Sequence, residues 1–340
     1  MIRTMPRQRT VLALLSSAAL AVLMASVMVG SVSIPLSGLP AALRGMLGGG
    51  GSMDATLLEL RLGRACAAFA TGSALALAGV MMQALLRNPL ADPYVLGISS
   101  GAAVGALAAL LGGAALWMVD LGALGGAVGV SAVLYFLARR DLGGGALRDT
   151  PSDPNTLLLT GVILAAACMA LVTLMLSIAP ESRLRGMVFW MVGDLSGAGW
   201  RVMPWLVLAG ALLFSLRIAR SLNVMALHAD AAATLGVDVG RLRRSLFICA
   251  GILTASAVTT AGSIGFVGLI VPHACRHAFG PDHRLLLPSA AIAGGAFLVL
   301  ADTLARTVMA PQQLPVGVLT SLIGVPVFLF QLHQLKLRRP

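Results

Sequence analysis

Residues 245–275 read SLFICAGILTASAVTTAGSIGFVGLIVPHAC, 31 residues without an Asp, Glu, Lys or Arg. As one helix at about 1.5 Å per residue this stretch would run roughly 46 Å, half again the roughly 30 Å of a bilayer's hydrocarbon core. Gly262, Gly265 and Gly268 interrupt it, and glycine is the residue that lets a chain turn sharply. The stretch therefore predicts two membrane crossings separated by a break. Eight further uncharged runs, 10–43, 65–86, 93–119, 121–138, 154–180, 202–216, 285–301 and 307–335, predict one crossing each. The expectation is an all-α membrane protein of ten transmembrane helices, one domain over 1–340, with both termini on the same side.

Charge tests that count. Of the 24 Lys and Arg residues, ten crossings place 17 on the side of the termini and 7 on the other, and the basic side of a membrane protein is cytoplasmic. Both termini are thus expected in the cytoplasm. An odd number of crossings would put the basic amino end and the basic carboxyl end on opposite faces. All four tryptophans, Trp117, Trp190, Trp200 and Trp205, then fall near the outer boundary, where amphipathic rings prefer to sit. The uncharged run Thr10–Leu43 is much longer than a secretory signal's apolar region of about 7–15 residues, so it reads as the first spanning helix.

Composition agrees. Only 11% of the residues are charged and 58% are hydrophobic, against about 25% charged in soluble domains. A soluble enzyme, a disordered chain and a nucleic-acid-binding domain are all excluded, the net charge of +11 notwithstanding. Cys66, Cys168, Cys249 and Cys275 lie in apolar runs without CxxC spacing, which indicates neither a disulfide framework nor a zinc site.

The acids narrow the possible mechanisms. Asp54, Glu59, Asp120, Glu181, Asp194 and Asp302 fall at or near outer helix ends, and the other seven at or near inner ends. An ion-coupled carrier holds its carboxylate near the bilayer midplane, so the alternative of an ion-coupled secondary transporter acting without an ATPase is disfavoured. Acid-base catalysis inside the membrane is disfavoured on the same ground. The one lysine, Lys336, is followed by Leu337, whereas a nucleotide-binding P-loop needs Lys before Ser or Thr. Any ATP that powers this chain must bind another subunit, which needs a docking surface here. The inner loop 221–244 is the candidate: helix formers through Ala233, a stop at Gly236 and a helix-starting Asp238 predict two small amphipathic helices. A plain solvated loop with an interfacial helix fits that pattern as well.

Several segments, in order, carry a family likeness: Arg61-Leu62-Gly63-Arg64, Gly79-Val80-Met81-Met82-Gln83, Asn88-Pro89-Leu90-Ala91-Asp92-Pro93, Leu96-Gly97-Ile98-Ser99-Ser100-Gly101, the run from Gly262 to Arg276, and Leu314-Pro315-Val316-Gly317 with Gly324-Val325-Pro326. The chain from about Arg61 to Leu332 resembles the permease family of binding-protein-dependent ABC importers for iron-siderophores, haem and vitamin B12, the FecCD or BtuC type. The resemblance implies a BtuC-like fold of ten helices in the bacterial inner (cell) membrane. It implies a transporter subunit that is not itself an enzyme and carries no cofactor, ATP and Mg being bound by the partner ATPase. The implied partners are a second copy of the chain, two ATP-binding cassette subunits and a periplasmic substrate-binding protein.

The likeness also implies roles. Arg61, Arg64 and Arg306 match arginines that receive glutamates of the binding protein, a pairing suited to the two parallel hydrogen bonds a guanidinium offers a carboxylate. Read without the family, the same arginines snorkel to headgroups or pair with Glu59 and Asp302. Asn88 and Leu90, beside Pro89, match the cytoplasmic gate, with Asn155 and Thr156 as a looser second constriction. Ala226, Leu227, Ala231, Ala232, Leu235, Gly236, Val237 and Arg241 match the segment that couples to the ATPase. His273 and His277, one turn apart, read as structural or interfacial rather than as a metal pair. The small-residue pairs Gly101 with Gly105 and Gly122 with Gly126 suit close helix packing within one bundle. The Arg-Leu-x-Arg segments at 61–64 and 241–244, each ahead of a small-residue-rich helix, hint at an inverted repeat. No residue names the chelate; an iron-siderophore or haem is the preferred cargo, cobalamin the other.

Overall fold

The computed structural model describes residues 4–30, 40, 44–45, 52–143, 154–227 and 229–337. Among the described residues twelve α-helices succeed one another: α1 (Thr4–Met28), α2 (Met53–Leu85), α3 (Ile98–Leu111), α4 (Leu116–Gly143), α5 (Pro154–Ile178), α6 (Glu181–Val192), α7 (Met203–Leu227), α8 (Ala229–Thr234), α9 (Val239–Ala261), α10 (Val267–Phe279), α11 (His283–Thr307) and α12 (Val316–Leu337). A 3₁₀ turn, Pro93–Leu96, leads into α3. Among the described residues, α1, α2, α4, α5, α7, α9 and α11 contain seven segments long and apolar enough to cross a membrane. The shorter α3 and α10, of 14 and 13 residues, and the apolar part of α12, Val316–Gln331, occupy the remaining predicted runs.

The stretch 245–275 does break. Helix α9 ends at Ala261, Gly262 turns at φ +68°, and Phe266, also at positive φ, precedes α10. A side chain at Gly262 would place its Cβ 2.2 Å from the carbonyl oxygen of Trp190, so both backbone conformation and space require glycine there.

Helix α2 is the axis of the bundle. Its apolar part is buried almost all round, and such a helix must lie inside the protein. Small residues let its neighbours reach its backbone. A Cβ on Gly79 would lie 1.9 Å from the Gly268 carbonyl oxygen of α10, and one on Gly72 would lie 2.2 Å from that of Gly294 on α11. The same device joins α3 to α4: the paired glycines of the two helices meet each other, Gly105 on Gly122 and Gly101 on Gly126, at 1.9 and 2.6 Å for an added Cβ. With lipid outside, close van der Waals contact of this kind holds membrane helices together where the hydrophobic effect cannot. The Arg-Leu-x-Arg hint has a counterpart here, for the order long, short, long, long occurs both in α2–α5 and in α9–α12.

The inner loop differs from the expectation of two small helices. Helix α7 continues to Leu227, α8 is a single short helix, and Asp238 caps the long spanning helix α9 by accepting from the Arg241 N–H at 2.8 Å. Leu242, Leu246 and Phe247 are buried, so the helix that starts at Asp238 runs on into the bundle instead of lying across its inner surface. Residue His228 and the side chains of Asn155, Leu227 and Ala231 lie outside the described residues.

Gly79→Ala is expected to cost about 1–3 kcal/mol by overpacking against α10. Gly129→Ala, where an added Cβ meets nothing within 4 Å, should stay within about 0.5 kcal/mol of the parent. Thermal denaturation in detergent, followed by size-exclusion fluorescence, checks both; equal melting of the two variants contradicts the close-packing account.

Candidate functional site

At the outer end of α2, Arg61 and Arg64 sit one helical turn apart, and Arg306 approaches from the last turn of α11. All three are buried, 8%, 9% and 6% exposed. Arg64 and Arg306 share a partner, Asp302, 1% exposed and one turn before Arg306. Arg64 donates from Nε to both carboxylate oxygens at 3.0 Å and from Nη2 to Oδ1 at 2.8 Å, while Nη1 donates to Oε1 of Gln313 at 2.8 Å. Arg306 lies 3.5 Å from the other carboxylate oxygen and donates to the Ser26 hydroxyl at 2.7 Å and to the Ser26 carbonyl. Arg61 donates to the carbonyls of Val27 and Met28 at 3.3 and 3.2 Å. Two of the three cations thus share one buried carboxylate, and all three arginines lie at the wall of a cavity of about 410 Å³, whose rim includes Gly30, Ser196, Gly199 and Gln313. The pairing with Asp302 is seen for Arg64 and Arg306; pairing with Glu59 is not among the described contacts. Gln313 and Ser26 were missed in the sequence, because a lone Gln or Ser carries no motif.

At the opposite end of α2 the chain makes a polar turn. Arg87 takes positive φ, the Asn88 side chain accepts from the Leu90 N–H at 2.9 Å, and Asp92 caps the 3₁₀ turn by accepting from the Tyr94 N–H at 2.8 Å. Asn88 and Leu90 are exposed. The turn then anchors on the α9–α10 break, where Tyr94 Oη accepts from the Ile264 N–H at 3.0 Å and the hydroxyls of Ser99 and Ser263 bond at 2.8 Å. It packs on α5 at Gly161, where an added Cβ would lie 2.9 Å from Leu96 Cα. Thr156 is exposed near the start of α5. Tyr94 and Ser263 are the residues sequence reading passed over; their role depends on a contact across about 170 residues.

The inner loop presents a mixed face. Ala232 is fully buried, while Leu235 is 71% exposed and Ala226, Gly236 and Arg241 are also exposed; Val237 is half-buried. Gly236, at φ +81°, donates to the Ala233 carbonyl and ends α8. Arg241 reaches Asp238 at 3.5 Å across solvent, a pairing worth little by itself. Just before the loop, Asn223 ties α7 to the start of α11, donating to Asp282 at 2.7 Å and accepting from the His283 N–H at 2.9 Å. Burial would raise the Asp282 carboxyl, but the N–H of Arg284 and the amide of Asn223 win and hold it below the usual carboxylate range.

Residues 13–334 match the model of the FecCD transport family. The cobalamin import system permease protein BtuC of Halobacterium salinarum is 42% identical over 284 residues, 82% of this chain and 73% of that one. The vitamin B12 import system permease protein BtuC of Escherichia coli (strain HS) is 41% identical, over 83% of this chain and 84% of its own. Among solved structures, an inward-facing metal-chelate type ABC transporter superposes with TM-score 0.82 at 28% identity, covering 96% of this chain and 99% of that one.

Asp302→Asn leaves two buried guanidinium groups without their carboxylate. Breaking such a cluster is expected to cost about 3–5 kcal/mol, read as a lower melting temperature of the purified chain. Melting unchanged from the parent would mean that Asp302 does not neutralise the cluster.

Proposed function

Since the chain belongs to the FecCD transport family, we propose that it is the permease subunit of an ABC importer carrying a cobalamin or a related metal chelate from periplasm to cytoplasm. It is a multi-pass protein of the inner (cell) membrane. The observation that carries the proposal is a likeness running nearly the whole chain, to a metal-chelate transporter in fold and to cobalamin permeases in sequence. The preference for an iron chelate has no comparable support, so cobalamin now leads.

In this reading ten helices cross the membrane, two copies form the path, and the cargo arrives on a separate binding protein. The exposed faces of α5 and α12, with Leu159, Ile163, Leu174, Leu322 and Phe330 uncovered, are the apolar surfaces available for a second copy. Arg61, Arg64 and Arg306 receive acidic residues of the binding protein. For that, a carboxylate entering the outer cavity replaces or joins Asp302, and the three arginines supply more positive charge than one aspartate neutralises. Asn88, Leu90, Asn155 and Thr156 close the inner end of the path. Leu235 and its neighbours seat in the ATPase, and ATP with Mg is bound and hydrolysed there; this chain performs no covalent step. Closure of the ATPase pair moves the inner loops and alternates access to the path.

Two measurements test it. In proteoliposomes containing this permease, its neighbouring ATPase and its binding protein, labelled cobalamin should accumulate only with ATP inside; ferric siderophores and haemin serve as competitors. Uptake that persists without the ATPase and collapses with an ion gradient overturns the importer reading. Leu235→Asp should lower ATPase co-purification by about tenfold, about 1.4 kcal/mol, with an unchanged melting temperature; full retention sinks the coupling assignment.

A further inference from the structure

A large cavity among the described residues lies away from all three of these places. It is a groove of about 610 Å³ between α4, α7 and α9, within the range of pockets that hold small ligands. All three helices contain membrane-crossing segments, and the groove opens on their outward faces, where Val128, Phe136, Met203, Ile248 and Ile252 are uncovered. A second depression continues it toward the inner side along α7 and α9, past Gly210 and Ser245.

The walls are less polar than their composition suggests. Ser131, Thr259 and Thr260 line the groove, yet each hydroxyl donates to the carbonyl four residues back on its own helix, at 2.7, 2.7 and 2.8 Å. These three residues therefore offer the groove mainly their carbon atoms, which suits a hydrocarbon chain; Ser256 and Tyr135 are the other hydroxyl-bearing residues of the lining. Tyr135 packs against the rings of Phe136 and Phe247, with ring centroids 6.0 and 6.2 Å apart, at the inner end. From Phe247 to Thr260 along α9 is roughly 20 Å at about 1.5 Å per residue, somewhat more than one leaflet's share of a roughly 30 Å core.

The outer mouth is different. Arg201 lines it, 35% exposed, and donates from Nη1 to Asp120 at 2.7 Å. A guanidinium has five N–H donors in a planar fork, so Asp120 holds Arg201 in place while donors on the open side remain for an anion. Trp200 beside it and Trp117 one turn before Asp120 are 65% and 63% exposed, at the level where indoles sit among lipid headgroups. An apolar trough with a cation at its headgroup end has the charge and shape pattern of a phospholipid.

We propose that this groove is a phospholipid site, taking one acyl chain of an outer-leaflet phospholipid between α4, α7 and α9 and its phosphate at Arg201. The site is independent of the transport reading, since it lies on the lipid-facing side, apart from the uncovered faces of α5 and α12. It makes the lipid a stabilising partner of the α4–α9 contact.

The test uses the full chain reconstituted in phosphatidylethanolamine–phosphatidylglycerol vesicles, released into detergent and examined by native mass spectrometry. One phospholipid per chain should remain bound, in preference to phosphate-free diacylglycerol. Ser256→Phe and, separately, Ile252→Trp, at a position 53% exposed, should each lower the retained lipid by about tenfold, about 1.4 kcal/mol. Arg201→Gln should abolish the preference over diacylglycerol while chain binding persists. No retained lipid in the parent, retention equal to the parent's in both filled-groove variants, or an undiminished preference in Arg201→Gln overturns the proposal. So does a disulfide formed between two copies through Val128→Cys, which would show a second permease covering the groove.

Discussion

The molecule depends on backbone meeting backbone around α2. A helix buried on every side has no amphipathic face to present, and in a membrane the lipid tails compete with any apolar side chain for its surface. What remains is close approach, and that is possible only where Cβ atoms are absent or small. Gly72 against Gly294 and Gly79 against Gly268 fix α11 and α10 on two levels of α2. Because α2 is one continuous helix of 33 residues, the position of its outer arginines and that of its inner turn are set together. A shift of α2 along its axis would move Arg64 off Asp302 and the Asn88 turn off the α9–α10 break at once.

Burying three arginines is expensive, and the structure shows what offsets the cost. Asp302 accepts from Arg64 and lies within reach of Arg306, while Gln313, Ser26 and the carbonyls of Val27 and Met28 take further donors. Buried ion pairs of this kind contribute little net stability when compared with apolar substitutes. At the rim of an open cavity their effect is to hold guanidinium groups in fixed orientations rather than to add net stability.

Most of the fold was legible in the sequence for a simple reason. Length and charge-free runs are one-dimensional properties, and the bilayer converts them directly into helices. The break at Gly262 was readable because a 31-residue run exceeds the membrane and contains glycine; the glycine pairs four apart marked faces for close packing, but that those of α3 and α4 meet each other is seen only in the structure. The inner loop was misread at its second half: Asp238 is a helix start in either case, and only the packing of Leu242 and Leu246 into the bundle distinguishes a surface helix from the first turn of α9. The arginines were found through family likeness and Asp302 was named as a possible partner, but the further acceptors, Gln313 and the Ser26, Val27 and Met28 backbone or side chains, were not, because partners so far along the chain leave no local signature. Tyr94 with Ile264, and Ser99 with Ser263, escaped for the same reason.

These long-range contacts give the two ends of the bundle a physical connection. Helix α11 begins at the latch where Asn223 holds Asp282 and His283, next to the inner loop, and ends at Asp302 and Arg306 in the outer cavity. Between them it lies against α2 through Gly294 and Gly295, with no Cβ to cushion a slide. Pro288 interrupts α11 one turn beyond the latch, and the stretch after it carries the backbone contact with α2 up to Asp302. The inner latch and the outer arginine cluster are therefore two ends of one helix, each held by a partner from elsewhere in the chain: Asn223 of α7 at one end and Arg64 of α2 at the other.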